Sequence, residues 1–140
     1  MDWAKFERGV FLVNVLGIVY NPKTRKILIA RVQNDPYVKG LIWRFPGGRP
    51  IYEKGLESSL EYHIKIKTGL DVEILKLVFA KTYPEKQEFL SIYYLCEPVG
   101  GKEKSGEGFL EMRWVNPSEV ARYFTTSLHP KLLEYLKTLE

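Results

Sequence analysis

The chain has 140 residues, 45% of them hydrophobic, a formal charge of +4 and one cysteine. That length suits one domain spanning residues 1–140, with a core burying roughly two-thirds of the unfolded surface and no need of a disulfide or structural metal. No apolar run reaches the roughly 18–20 residues of a membrane span, and the mild, scattered excess of cations excludes a nucleic-acid signature while suiting a phosphate-bearing ligand.

The residues around Trp3, Lys5, Glu7 and Arg8 do not make a secretory signal. Val10 to Tyr20, broken by Asn14, reads as a buried strand, Asn21-Pro22-Lys23-Thr24 carries turn chemistry, and Lys26 to Val32 completes a hairpin that Asn34-Asp35-Pro36 ends. Leu41 to Phe45 is a short extended run closed by Pro46-Gly47-Gly48. From Leu56 to Lys67 the period changes: Leu56, Leu60 and Ile64 recur at every fourth position, one face of a helix. Gly55 suits its N-cap and Gly69 its left-handed C-cap, with Glu57 in the first turn and Lys65 and Lys67 in the last, as the helix dipole favours.

Asp71 to Lys81 and Glu88 to Pro98, separated by Tyr83-Pro84-Glu85-Lys86, read as a further strand pair. Cys96 falls in the apolar run Leu90 to Cys96, where a lone thiol reads as a small core residue, and a reducing, cytoplasmic setting is the simpler expectation. The stretch Gly100 to Gly108 has loop composition, and Phe109 to Val115 is one more strand. Asn116-Pro117 is a helix start, His129 beside Pro130 is another, and Pro130 to Leu139 closes the chain as an amphipathic helix. Strands mixed with two main helices predict an α/β (α+β) layered domain.

Trp43-Arg44-Phe45-Pro46-Gly47-Gly48, then a loop, then a helix ending at Thr68-Gly69-Leu70, resembles the Nudix family, whose box is written G-x5-E-x7-R-E-U-x-E-E-x-G-U. With the first box glycine on Gly48, the last falls on Gly69 without a gap. The hairpin ahead of the box and the segment Arg113-Trp114-Val115-Asn116-Pro117-Ser118-Glu119 behind it agree, so the resemblance covers most of the chain. It implies a mixed sheet sandwiched between helices, and hydrolysis of a pyrophosphate bond by magnesium or manganese held on box glutamates.

Here the chain departs from the family. The first glutamate slot holds Lys54, the arginine slot Tyr62, the next glutamate slot His63, and the Glu-Glu pair is Ile66-Lys67. A protonated lysine has no lone pair for a cation and repels it. Glu57 and Glu61 share a helix face turned away from His63 and Lys67, which suits a solvated face, and His63 has no second His or Cys within helical reach to complete a soft-metal site. No metal ligand set is therefore assigned and no cofactor is expected. Ser, His and Asp form no nucleophile arrangement.

The leading function is binding of a nucleotide or nucleoside-diphosphate-linked compound, with hydrolysis weak or absent. The ligand-binding set is Arg31, Arg44, Gly47, Gly48, Lys54, His63 and Lys67, the two arginines being equally readable as surface cations. Tyr20, Tyr37, Tyr83, Tyr93 and Tyr94 are readable as base-stacking or as core. One rival is an active hydrolase with magnesium or manganese on backbone carbonyls, Glu107, Glu111 and Glu53, the only catalytic candidates left. Another is a regulatory or interaction module, including a homodimer.

Overall fold

The computed structural model describes residues 9–33, 42–84, 86–125 and 128–140. The hairpin forms as β1 (Leu12–Asn21) and β2 (Lys26–Val32), and its turn is held by Asn21 Oδ1, which accepts from the Lys23 amide at 2.9 Å. The expected stop at Asn34-Asp35-Pro36, together with Tyr37 and Leu41, lies outside the described residues. Two short strands follow, β3 (Trp43–Arg44) and β4 (Gly47–Gly48), then helix α1 (Leu56–Thr68). The long strands β5 (Leu70–Thr82) and β6 (Phe89–Gly101) and the shorter β7 (Phe109–Val115) complete the sheet. Asn116-Pro117 begins only a single 3-10 turn, Pro117–Glu119, that runs into α2 (Val120–Tyr123), and α3 (Pro130–Lys137) closes the chain. His129 is the N-cap of α3, its Nδ1 accepting from the Lys131 amide at 3.1 Å.

β1 organises the sheet. It runs antiparallel to β2 at one end and to β4 through Val15–Gly48 and Leu16–Gly47, and parallel to β6 from Leu12–Phe89 to Val19–Cys96. β6 then carries β5 antiparallel, and β2 carries β3 and β7. Because successive strand residues point to opposite faces, the sheet sorts its apolar residues into two cores. Leu16, Ile18, Ile27, Ile29 and Tyr93 pack with Val120, Leu132 and Leu136 beneath α2 and α3. Val15, Val19, Leu28, Tyr94 and Cys96 pack with Leu60 and Ile64 beneath α1. The result is the expected mixed sheet between helices. Among the described residues no helix is long and apolar enough to cross a membrane.

The buried face of α1 differs from its apolar spacing. Leu60 and Ile64 are fully buried, but Leu56 is 40% exposed, and Ser59 and Thr68 take the remaining inward positions. Each of these hydroxyls has a partner: Ser59 Oγ accepts from the Ile51 amide at 2.9 Å, and Thr68 Oγ1 donates to the Ile64 carbonyl at 2.6 Å. Ile64 sits so close to Gly17 that a β-carbon there would lie 2.8 Å from its Cδ1, which brings helix and sheet together.

Candidate functional site

The site begins with how β4 meets its neighbours. A β-carbon on Gly47 would fall 2.0 Å from the Val15 carbonyl oxygen, and one on Gly48 2.7–2.8 Å from the His63 ring. Only glycine lets the backbone pass between β1 and α1 here. The Gly47 carbonyl is left facing the helix, and the Lys67 ammonium donates to it at 2.6 Å. Four residues earlier on α1, and so on the same helical stripe, the His63 Nε2 meets the Arg49 carbonyl at 2.6 Å.

The last turn of α1 is fixed from outside. Gly69 adopts the left-handed conformation, with φ of 79°, and its amide bonds the Lys65 carbonyl. The connection from β6 to β7 supplies two more donors: the Lys104 amide bonds the Thr68 carbonyl and the Gly106 amide bonds the Lys67 carbonyl, both at 2.8 Å. These carbonyls have no partner within the helix, so the loop caps it and holds Glu107 near Lys67.

Burial sets the electrostatics first. Desolvation, then the neighbouring Arg44, lower the Lys67 pKa from 10.5 to about 8, with Glu107 opposing. His63 is also lowered, chiefly by desolvation; its bond to the Arg49 carbonyl and Glu107 oppose, while Lys67 and Arg44 add to the lowering. Its Nδ1 is buried with no hydrogen-bond partner, which suits a neutral ring donating from Nε2. The arrangement is a half-buried ammonium and a guanidinium beside a glycine turn, with the Glu107 carboxylate in electrostatic range.

Gly47, Gly48, His63 and Lys67 are in direct contact, Arg44 and Glu107 are within their electrostatic reach, and the Arg44 Nε donates to the Phe45 carbonyl at 3.3 Å. Lys54 is exposed, its Nζ 5.8 Å above the Tyr62 ring, and Glu53 sits in the preceding turn with φ of 70°. Arg31 and Glu111 are register partners on β2 and β7 and pair with each other at 3.2 Å, while Glu111 also takes Arg113 at 2.6 Å. Among the described residues no three His, Cys, Asp or Glu side chains gather as a metal ligand set.

Two features went unread in the sequence. The Arg113 guanidinium stacks on Trp43 and Tyr123, 5.3 and 5.7 Å from their centroids. Lys81, 9% exposed, lies 4.0 Å from the Tyr83 ring, whose hydroxyl accepts from Ser91 at 3.0 Å and meets that of Tyr93 at 3.3 Å. The spacing of Ser91 and Tyr93 two apart on β6 was the available signal, since it puts both on one face.

Comparison with known proteins agrees with this architecture. The NUDIX domain family model matches residues 10–136. A MutT-like protein of Streptomyces ambofaciens is 25% identical over 126 residues, 89% of this chain and 76% of that protein. A NUDIX hydrolase from Nitrosomonas europaea superposes with a TM-score of 0.74 at 19% identity, covering 91% of this chain and 71% of the other. An ADP-ribose pyrophosphatase from Streptococcus suis 89-1591 does so with a TM-score of 0.65 at 16% identity, covering 91% and 88%. At such identities the structural likenesses speak to the fold.

Proposed function

The chain belongs to the Nudix family, and we propose that it binds a nucleotide or nucleoside-diphosphate-linked compound through fixed cations, with hydrolysis weak or absent. The observation that carries this is the Lys67 ammonium seated on the Gly47 carbonyl at 2.6 Å. Nudix hydrolases generally use magnesium or manganese, and the residues here do not fit such an ion. A hard divalent cation takes oxygen ligands. The box slots offer instead the ammonium groups of Lys54 and Lys67, the His63 imidazole and the aliphatic Ile66. Any cation approaching Gly47 meets the Lys67 charge first.

The same features suit an anion. Lys67 keeps donors beyond the one given to Gly47, and Arg44 adds a second cation. A phosphate placed beside Gly47 and Gly48 would accept from Lys67 and be drawn toward Arg44, with its charge opposed by protein cations rather than by a metal. With no carboxylate set to hold a divalent ion, an attacking water would have only Glu107 or His63 as a base, so binding is favoured over turnover.

Calorimetry with ADP-ribose tests this, that compound being chosen because a structural neighbour is an ADP-ribose pyrophosphatase. Binding should be unchanged by EDTA and weaken with salt. It should drop about tenfold or more in Lys67→Glu, because a charge-assisted contact worth about 1.5–3 kcal/mol is replaced by repulsion. A magnesium site tighter than millimolar, or metal-dependent cleavage of ADP-ribose, would instead make the chain an active hydrolase, with Glu107 the first residue to test.

A further inference from the structure

The loop between β4 and α1 is laid along the helix. The Ile51 amide donates to Ser59 Oγ at 2.9 Å, and the Lys54 amide donates to the Ile51 carbonyl at 3.1 Å, closing a turn in which Glu53 takes a left-handed φ of 70°. That turn carries Lys54 over α1, where its Nζ lies 5.8 Å from the Tyr62 ring centroid, near the outer limit of the attraction between a cation and an aromatic face. Tyr62 is 46% exposed. Its ring meets that of His63 at 5.8 Å in a T-shaped contact, and among the described residues its hydroxyl has no hydrogen-bond partner. So large a ring, held so loosely, adds little to the fold. It stands, however, beside the proposed phosphate site: the His63 ring lies against Gly48, and Lys67, one turn farther along the same stripe, bonds the Gly47 carbonyl at 2.6 Å.

From this arrangement we infer that Tyr62 is the platform for the base of the bound nucleotide, which stacks on the ring while its phosphates lie at Lys67. The inference rests on the binding function proposed above. Tyr62 and Ile66 form one stripe of α1 and His63 and Lys67 the neighbouring stripe, so ring and ammonium border one side of the helix. Five residues separate them, about 7.5 Å along the axis, a distance that a sugar bridges between a phosphate and its base. The base brings a flat, uncharged face, and in stacking it displaces only the loose, exposed contact with Lys54. Every base offers such a face, so the platform takes nucleotides as a class and favours them over diphosphates that carry no base.

ADP and inorganic pyrophosphate share a diphosphate, and only ADP carries a base, so the pair isolates this point. Both are titrated calorimetrically in EDTA against wild type, Tyr62→Leu, Tyr62→Phe and Tyr52→Leu, the last removing a tyrosine that is 98% exposed on the same loop. Wild type should bind ADP more tightly than pyrophosphate. Tyr62→Leu should lose about tenfold in ADP affinity, the size of one base stacked on one ring, and change by less than about twofold for pyrophosphate. Tyr62→Phe, which keeps the ring, and Tyr52→Leu should match wild type for both compounds. An equal loss for both in Tyr62→Leu, no loss for ADP, or a loss confined to Tyr52→Leu would remove Tyr62 as the platform and leave the cationic site intact. Failure of wild type to bind either compound would overturn the cationic site itself, and the platform with it.

Discussion

Burial, and behind it Arg44, hold the Lys67 ammonium near a pKa of 8 against an ordinary 10.5. Below pH 8 both folded and unfolded chains carry this proton. Between 8 and 10.5 the folded chain has released it and the unfolded chain has not, so Lys67 makes stability rise with pH across that window. Lys67→Met lacks this rise. Its stability relative to wild type should therefore fall by about 1–2 kcal/mol between about pH 7 and 10.5, a figure discounted for the part of the side chain in solvent. Urea melts at the two pH values measure it, and a constant difference would mean that Lys67 titrates as an ordinary lysine. ADP-ribose affinity should likewise decline as pH passes 8, and Lys67→Arg, whose guanidinium stays charged, should abolish that decline. The sequence showed that Lys67 stands in a box glutamate slot, but not that it reaches a carbonyl twenty residues earlier. That contact depends on β4 being laid against β1, a long-range pairing with no local signature.

Helix α1 was legible as an element because its period and its caps agree, and Gly69 takes the left-handed conformation expected of it. Its buried face was legible only in part. Counting apolar residues favoured Leu56, whereas Leu56 is 40% exposed and Ser59, fully buried, turns inward to hold the Ile51 amide. Leu60 is fully buried in the cluster that also holds Val15, Leu28 and Tyr94. Leu60→Ala should destabilise the protein by about 2–5 kcal/mol in a denaturant melt. A loss under about 0.5 kcal/mol would put Leu60 among surface positions. The longer strands were read within a few residues of their ends, β2 and β7 without error, whereas β4 was read only as the Pro-Gly-Gly closure of the run before it, and β5 and β6 run longer than their composition indicates. Their ladder continues through three register shifts, at Asp71/Val72, Ile74/Lys76 and Leu77/Phe79, that interrupt the alternation a sequence can display.

Across the whole molecule, the strand that carries the hairpin also lies parallel to β6, so Leu12 is joined to Phe89 with the box and all of β5 between them. A chain leaving the ribosome can close the hairpin early, yet β1 stays without its main partner until the far side of the helix has been made. Loop-closure entropy must be met before that pairing returns anything, and such topologies fold slowly for their size. Refolding from urea, followed by the fluorescence of Trp43 on β3 and Trp114 on β7, should take milliseconds to seconds, whereas relaxation within microseconds would mean that local contacts dominate the barrier. Until then Val15, Ile18 and Val19, all fully buried at the end, are exposed on an unpaired apolar strand. The interval before β6 arrives is when this protein is most open to aggregation, so its yield in cells should depend on how fast that one parallel seam closes.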